Sequence, residues 1–168
     1  MVNWQYFPKS DAAPKHLAEV IDIFRQNSDL IDSAQHTLSS NAVLLILKDG
    51  LSGLGFTVEK GHETVDKIKV PVLFGKDGKL EKYFHVDASN THNETVIEVE
   101  AGRAVENYQF LKDLFEACMM HNISYLVIAV RKTYRKKPDF ERVTTYFETL
   151  YASGRLKLPL KGILIIGY

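Results

Sequence analysis

At 168 residues, with 45% apolar and 25% charged side chains, the chain has the length to bury one core and the composition of an ordinary soluble globular protein, which excludes collagen-like, fibrous and disordered classes. Its 21 basic and 21 acidic residues cancel, but residues 1–100 carry 10 Lys and Arg against 15 Asp and Glu while residues 101–168 carry 11 against 6, so the charge is polarised along the chain. The lone Cys118 excludes an internal disulfide, the longest apolar run, Ala42–Leu47, falls far short of the roughly 20 residues that cross a bilayer, and MVNWQYFPKSD has no basic-then-apolar leader pattern; one domain spanning 1–168, in the cytoplasm and off the membrane, is the expectation.

Ala13–Gln26 places Leu17, Val20, Ile21 and Phe24 at helical spacing, with Pro14 suited to a first turn. Ser33–Gly50 reads as a second helix stopping near Gly50. KIKVPVLFG and LEKYFHVD flank GKDGK, whose Asp77-Gly78 is a strong hairpin signal. The polar stretch SNTHNE then leads to a third strand, TVIEVE. In AVENYQFLKDLFEACMMHN, the residues Ala104, Tyr108, Leu111, Phe115 and Cys118 mark one helical face, which makes Cys118 a core residue rather than a nucleophile. Tyr125–Val130 is continuously apolar, as a buried strand is, and strand, helix, strand within this distance predicts a right-handed βαβ crossover. DFERVTTYFETLYASG and GILIIGY add a helix and a last strand. The order predicts an α/β fold, a mixed β-sheet with flanking helices.

Three acids stand out. Residues i and i+2 of a strand share a face, so Glu98 and Glu100 project together. If the hairpin pairs with TVIEVE so that Asp87 lies opposite Val96, Asp87 is a diagonal neighbour of Glu98, about 7–8 Å away. Repulsion and burial would raise all three pKa values unless a cation sits among them, and an oxygen-rich cluster of this kind suits Mg²⁺ or Mn²⁺. The competing explanation is the solvated face of an edge strand. Arg131, Lys132, Tyr134, Arg135, Lys136 and Lys137 follow the apolar strand directly, as a phosphate-binding loop or as solvated surface. Arg103, just past the acidic pair, is placed for a phosphate or for a carboxylate. His85 shares the face of Asp87, and Glu63 stands ahead of the hairpin as a further candidate ligand. Neither a dinucleotide-binding glycine pattern nor a P-loop is present.

Asp87, ten intervening residues, then Glu98-Val99-Glu100 leading into a helix and an apolar strand resembles the PD-(D/E)xK nuclease superfamily over roughly Lys67 to Val130. In that pattern the aspartate and the first acid bind a divalent metal, and the third position, usually lysine, helps to activate water. The resemblance implies those roles for Asp87 and Glu98 and sets Glu100 in the lysine's place, as in the branch of type II restriction endonucleases of the BamHI and BglII type; Val86 stands where proline is common. It further implies a restriction-endonuclease-like core, Mg²⁺-dependent cleavage of DNA and a homodimer. The alternatives are a nuclease fold without activity, serving as a DNA-binding or protein-interaction module, and an unrelated small α/β interaction domain.

Overall fold

The computed structural model describes residues 1–61 and 67–168. Six strands form one sheet in the spatial order β1 (Asn3–Phe7), β8 (Gly162–Gly167), β7 (Tyr125–Val130), β6 (Thr95–Glu100), β5 (Ala88–Asn90), β2 (Thr57–Val58). The three central strands, β6, β7 and β8, run parallel, and β1, β5 and β2 are added antiparallel at the two sides. The edge strand β1 and the short β2 are not marked by any pattern in the sequence.

The centre is parallel because both faces of it are covered, and its strands are apolar at consecutive positions for the same reason. One face, with Ile97, Val99, Val127, Ala129, Leu164 and Ile166, packs on helices α1 (Lys15–Gln26), α2 (Ser28–Ile31) and α3 (Ser40–Gly53). The other, with Val96, Leu126, Ile128, Val130, Ile163 and Ile165, packs on α4 (Gln109–Met119) and α5 (Asp139–Ser153). α4 makes the crossover between β6 and β7, as the sequence predicts.

Helix α1 keeps its expected face, with Pro14 as its cap. The expected second helix is corrected: Ser33–Ser39 is not helical, α3 begins after Ser39, whose side chain accepts from the Ala42 N–H at 3.3 Å, and it runs through Gly50 to Gly53. Gly50 is a point of close approach and not a stop, since a Cβ there would lie 2.8 Å from the Ile23 side chain of α1.

The hairpin forms where expected, β3 (Ile68–Phe74) against β4 (Leu80–Val86), turning through Asp77 and Gly78 at φ 57° and 71°. It is a separate two-stranded sheet, however, and does not pair with β6. At Asp87 the chain leaves β4 and enters β5, and β5 makes the ladder with β6.

The face of α4 also differs from expectation. Tyr108 lies outside the helix at φ 51° and is exposed, and residues 104–107 form a turn, so a period counted from Ala104 starts on residues that are not helical. The buried stripe is Phe110, Asp113, Leu114 and Ala117, one residue back from the expected one, and Phe115 is 55% exposed. Leu114→Ala is therefore expected to cost about 2–5 kcal/mol through weakened packing and the cavity left behind, and Phe115→Ala about 0.5 kcal/mol as a surface change. Urea denaturation of the two variants checks this; the reverse ranking would return α4 to the register read from the sequence.

Candidate active site

The site lies where β5 begins. Ala88 pairs with Ile97, Ser89 with Val96 and Asn90 with Thr95, and one step further along this register puts Asp87 across from Glu98. The expected alignment with Val96 is thus shifted by two residues. The cause is the tight turn at 91–94, where the Asn90 side chain accepts from the N–H groups of His92 and Asn93 at 3.0 and 3.1 Å and Glu94 takes φ 52°. Beyond Ala88 the ladder has no backbone partner for the next inward N–H of β6. The Asp87 carboxylate takes that role, accepting from the Val99 N–H at 2.7 Å, which satisfies a buried donor. The Asp87 carbonyl accepts from the Glu59 N–H at 2.8 Å, and Glu59 is held by Lys67 at 3.9 Å.

Glu98 and Glu100 follow the alternation of β6 onto the face that α4 covers, beside Val96. There they meet an acid that the pattern of the sequence does not mark, Asp113, which the one-residue shift of α4 turns inward. Asp113 is 5% exposed, its Oδ2 has no hydrogen-bond partner among the described residues, and its side chain interacts with that of Glu100. An acid on the apolar stripe is the signal that would have found it, once the helix start at Gln109 was known.

Burial sets the electrostatics of the cluster, and mutual repulsion adds to it. Burial pushes Asp87 up to about 6, with the Val99 N–H pulling the other way and Glu59 adding to the rise. Glu100 is raised to about 7 by burial and then by Asp87. Asp113 goes to about 8 by burial and then by Glu100, and Glu98 lies well above the carboxylate range through burial and then Asp87, Asp113 and Glu100. Lys112 opposes the rise at all four, yet among the described residues no ion pair reaches any of them. Four acids with no paired cation are a donor set whose chemistry and charge fit a hard divalent ion. Among the described residues, no three such side chains are grouped closely enough to form a metal's ligand shell.

The basic run divides. Arg131 is 7% exposed and donates to the Leu38 carbonyl. Lys132 is tied to Asp32 and to the Met1 carbonyl, each at 3.0 Å. The Tyr134 ring lies between the guanidinium groups of Arg131 and Arg135, 5.4 and 5.1 Å from its centre, and rests on Gly102, two residues past Glu100. Gly102 has φ +114°, and a Cβ on it would fall 2.5 Å from that ring, so glycine is required there on both counts. Arg135 approaches Glu106 at 3.5 Å, and with Lys136 and Lys137 it forms the exposed part of the run. Arg103 is exposed and its charge lowers the Glu100 pKa. The His85 Nε2 is buried without a hydrogen-bond partner among the described residues, and its ring meets Tyr83 edge-on. Glu63 lies outside the described residues. Among the described residues, no helix is long and apolar enough to cross a membrane.

No model of a known protein family matches the sequence, and neither does any protein of curated function. Solved structures do match in fold. The chain superposes on the crystal structure of free BglII with a TM-score of 0.54 at 10% identity, covering 99% of this chain and 78% of that one. It superposes on restriction endonuclease BglII complexed with a DNA 16-mer with a TM-score of 0.57 at 11% identity, covering 99% and 77%. The fold is restriction-endonuclease-like, a mixed six-stranded sheet with flanking helices.

A pH dependence follows from the raised carboxyl groups. Each binds its proton more tightly folded than unfolded, so its contribution is present in full at low pH and is lost as pH rises through the folded values of about 6 to about 8. In the presence of a chelator the melting temperature is expected to fall from pH 5 to pH 8, and Asp113→Asn, which removes one such group, should fall less steeply. Scanning fluorimetry at stepped pH checks it; a wild-type melting temperature that climbs through this window would contradict the assigned directions.

Proposed function

We propose that this protein is a divalent-metal-dependent endonuclease that hydrolyses phosphodiester bonds in DNA, of the type II restriction endonuclease kind. The observation that carries the reading is Asp87 set across from Glu98, with Glu100 on the same face, at the C-terminal end of the central strand β6 in a restriction-endonuclease-like sheet. Asp87 and Glu98 are the ligands in this reading, with Glu100 beside them. A bound Mg²⁺ or Mn²⁺ would supply Lewis-acid polarisation of the phosphoryl group and a lowered pKa for the attacking water. The chain's own part is geometric and electrostatic. The Val99 N–H fixes the Asp87 carboxylate, and Glu100, on the same face as Glu98, is placed to accept a proton from the attacking water. Arg135, Lys136 and Lys137, with Arg103, would hold phosphates flanking the scissile bond, while Arg131 and Lys132 act by anchoring the loop and Tyr134 by setting its course over Gly102. One site cuts one strand, so cleavage of both calls for two copies of the chain, and a symmetric homodimer is part of the proposal.

Plasmid nicking with Mg²⁺ or Mn²⁺, against a chelator control, tests the reading. Asp87→Asn and Glu98→Ala should each abolish cleavage, with a loss of several kcal/mol in transition-state stabilisation, and should leave DNA affinity largely in place. Asp87→Asn protein that nicks at the wild-type rate would move the active site elsewhere. Wild-type protein that binds duplex DNA with salt sensitivity and never cleaves it would select the inactive DNA-binding module.

The loop makes its own prediction. Converting Arg135, Lys136 and Lys137 to alanine should weaken binding to every DNA sequence alike and reduce the log–log salt slope by about 0.9 for each phosphate no longer neutralised. An unaltered slope in fluorescence anisotropy would make the loop plain solvated surface.

A further inference from the structure

The hairpin carries a second cationic surface, one that the nuclease reading does not use. Between Lys67 and Val86 stand Lys67, Lys69, Lys76, Lys79 and Lys82 against Asp77 and Glu81, within the half of the chain that is otherwise acidic. Lys67 is held on Glu59 at 3.9 Å, and the other four lysines are exposed.

Two features separate this surface from an ordinary solvated face. First, the hairpin is not a part of the main sheet. Its inner side, Val70 and Val86 with Phe84, is packed on the core, and its outer side is ordered by ring contacts. On that side Lys69 stands across from His85, with its ammonium 4.7 Å from the centre of the Tyr83 ring, while Lys82 shares the face of Phe84 and lies 5.3 Å from the centre of its ring at the exposed end of the inner side. Lysines laid on aromatic faces lose less freedom when they meet an anion than lysines extended into water. Second, the surface is continuous with the carboxylates. β4 ends at Val86 and the next residue is Asp87, and a concavity of about 400 Å³ runs along β4, lined by Glu81, Lys82, Tyr83, Phe84 and His85 and by Lys112 and Glu116 of α4, which pair at 3.5 Å. Lys112 is the cation whose charge reaches all four acids, Asp87, Glu98, Glu100 and Asp113.

We infer that the β3–β4 hairpin is a phosphate-gripping ribbon for duplex DNA, the substrate class of the proposed nuclease on which this inference rests. Lys69, Lys82 and Lys112 take phosphates next to the bond held at Asp87 and Glu98, and Lys76 and Lys79 at the turn reach phosphates farther along. At about 3.3 Å per residue, the seven steps from Leu80 to Asp87 span roughly 23 Å, about two-thirds of the 34 Å pitch of the double helix. The ribbon is thus long enough to lie along a few consecutive phosphates of one backbone. The loop at 131–137 follows Val130, which pairs with Glu100, so two cationic segments adjoin the acids and supply the attraction that a chain of zero net charge lacks.

The test is the salt dependence of binding to a fluorescein-labelled duplex, with Ca²⁺ in place of Mg²⁺ and salt varied over about 50–200 mM. One variant changes Lys69, Lys76, Lys79 and Lys82 to alanine; a control changes the equally exposed Lys15, Arg25, Arg155 and Lys157. The hairpin variant should bind more weakly, with the slope reduced by about 0.9 for each phosphate no longer neutralised, and the control should keep the wild-type slope. Should the fourfold variant melt early, Lys76→Gln with Lys79→Gln, confined to the turn, gives the same readout with a smaller change. A hairpin slope equal to wild type, or a control whose slope falls as much as the hairpin's, overturns the inference and leaves the nuclease reading standing. Wild-type protein that does not bind the duplex overturns both.

Discussion

Two helical layers close over the three parallel strands at the centre of the sheet, and this coverage is the constraint on which the rest of the structure depends. Where both faces of a strand are covered, a charged side chain has no water to turn to. Strands β7 and β8 comply by being apolar throughout, as far as Val130 and Gly167. Strand β6 complies through Ile97 and then places acids at Glu98 and Glu100, where the cover thins and both side chains are half-buried. Asp113 of α4 breaks the rule from the opposite layer. Such groups persist in a stable fold when something compensates them. Lys112 and the Val99 N–H do so in part, and the raised pKa values record how much is left over.

The start of β5 decides the geometry of what is left. A longer β5 would have satisfied the Val99 N–H with a backbone carbonyl and freed the Asp87 side chain to point elsewhere. Because the ladder stops at Ala88, the carboxylate is recruited to finish it and is thereby fixed across from Glu98. One hydrogen bond serves stability and placement together. The same bend releases β4 from the main sheet, so the hairpin stands apart and presents its lysines beside the acids. On the other side, Gly102 admits the Tyr134 ring and ties the segment after Glu100 to the basic loop. Acids and cations therefore meet through three local devices: a strand that begins late, a hairpin left outside the sheet, and a glycine that lets an aromatic ring rest on the backbone.

The concavity of about 580 Å³ over Tyr108, Phe110 and Tyr146, where α4 and α5 adjoin, lies away from this chemistry. It is predominantly apolar and holds none of the four acids.

Much of this was legible in the sequence. Periodicity gave α1, the turn residues Asp77-Gly78 gave the hairpin, and the unbroken apolar runs gave the buried parallel strands, because each of these signals is local and reports burial or a backbone conformation directly. The pairing of Glu98 with Glu100 on one face follows from strand alternation alone. Tertiary structure decided the remainder. Which strand pairs with β6 depended on a two-residue difference in register that the turn after Asn90 sets. Which face of α4 turns inward depended on a left-handed Tyr108 that delays the helix start, and with it the presence of Asp113 in the cluster. Arg131 and Lys132 look like their neighbours in a basic run, and the positions of Leu38 and Asp32, roughly a hundred residues away in sequence, are what turn them into anchors. Sequence specifies what is local; register, facing and partners at long range are settled when the layers close, since burial forces each polar group to find whichever partner the fold brings to it.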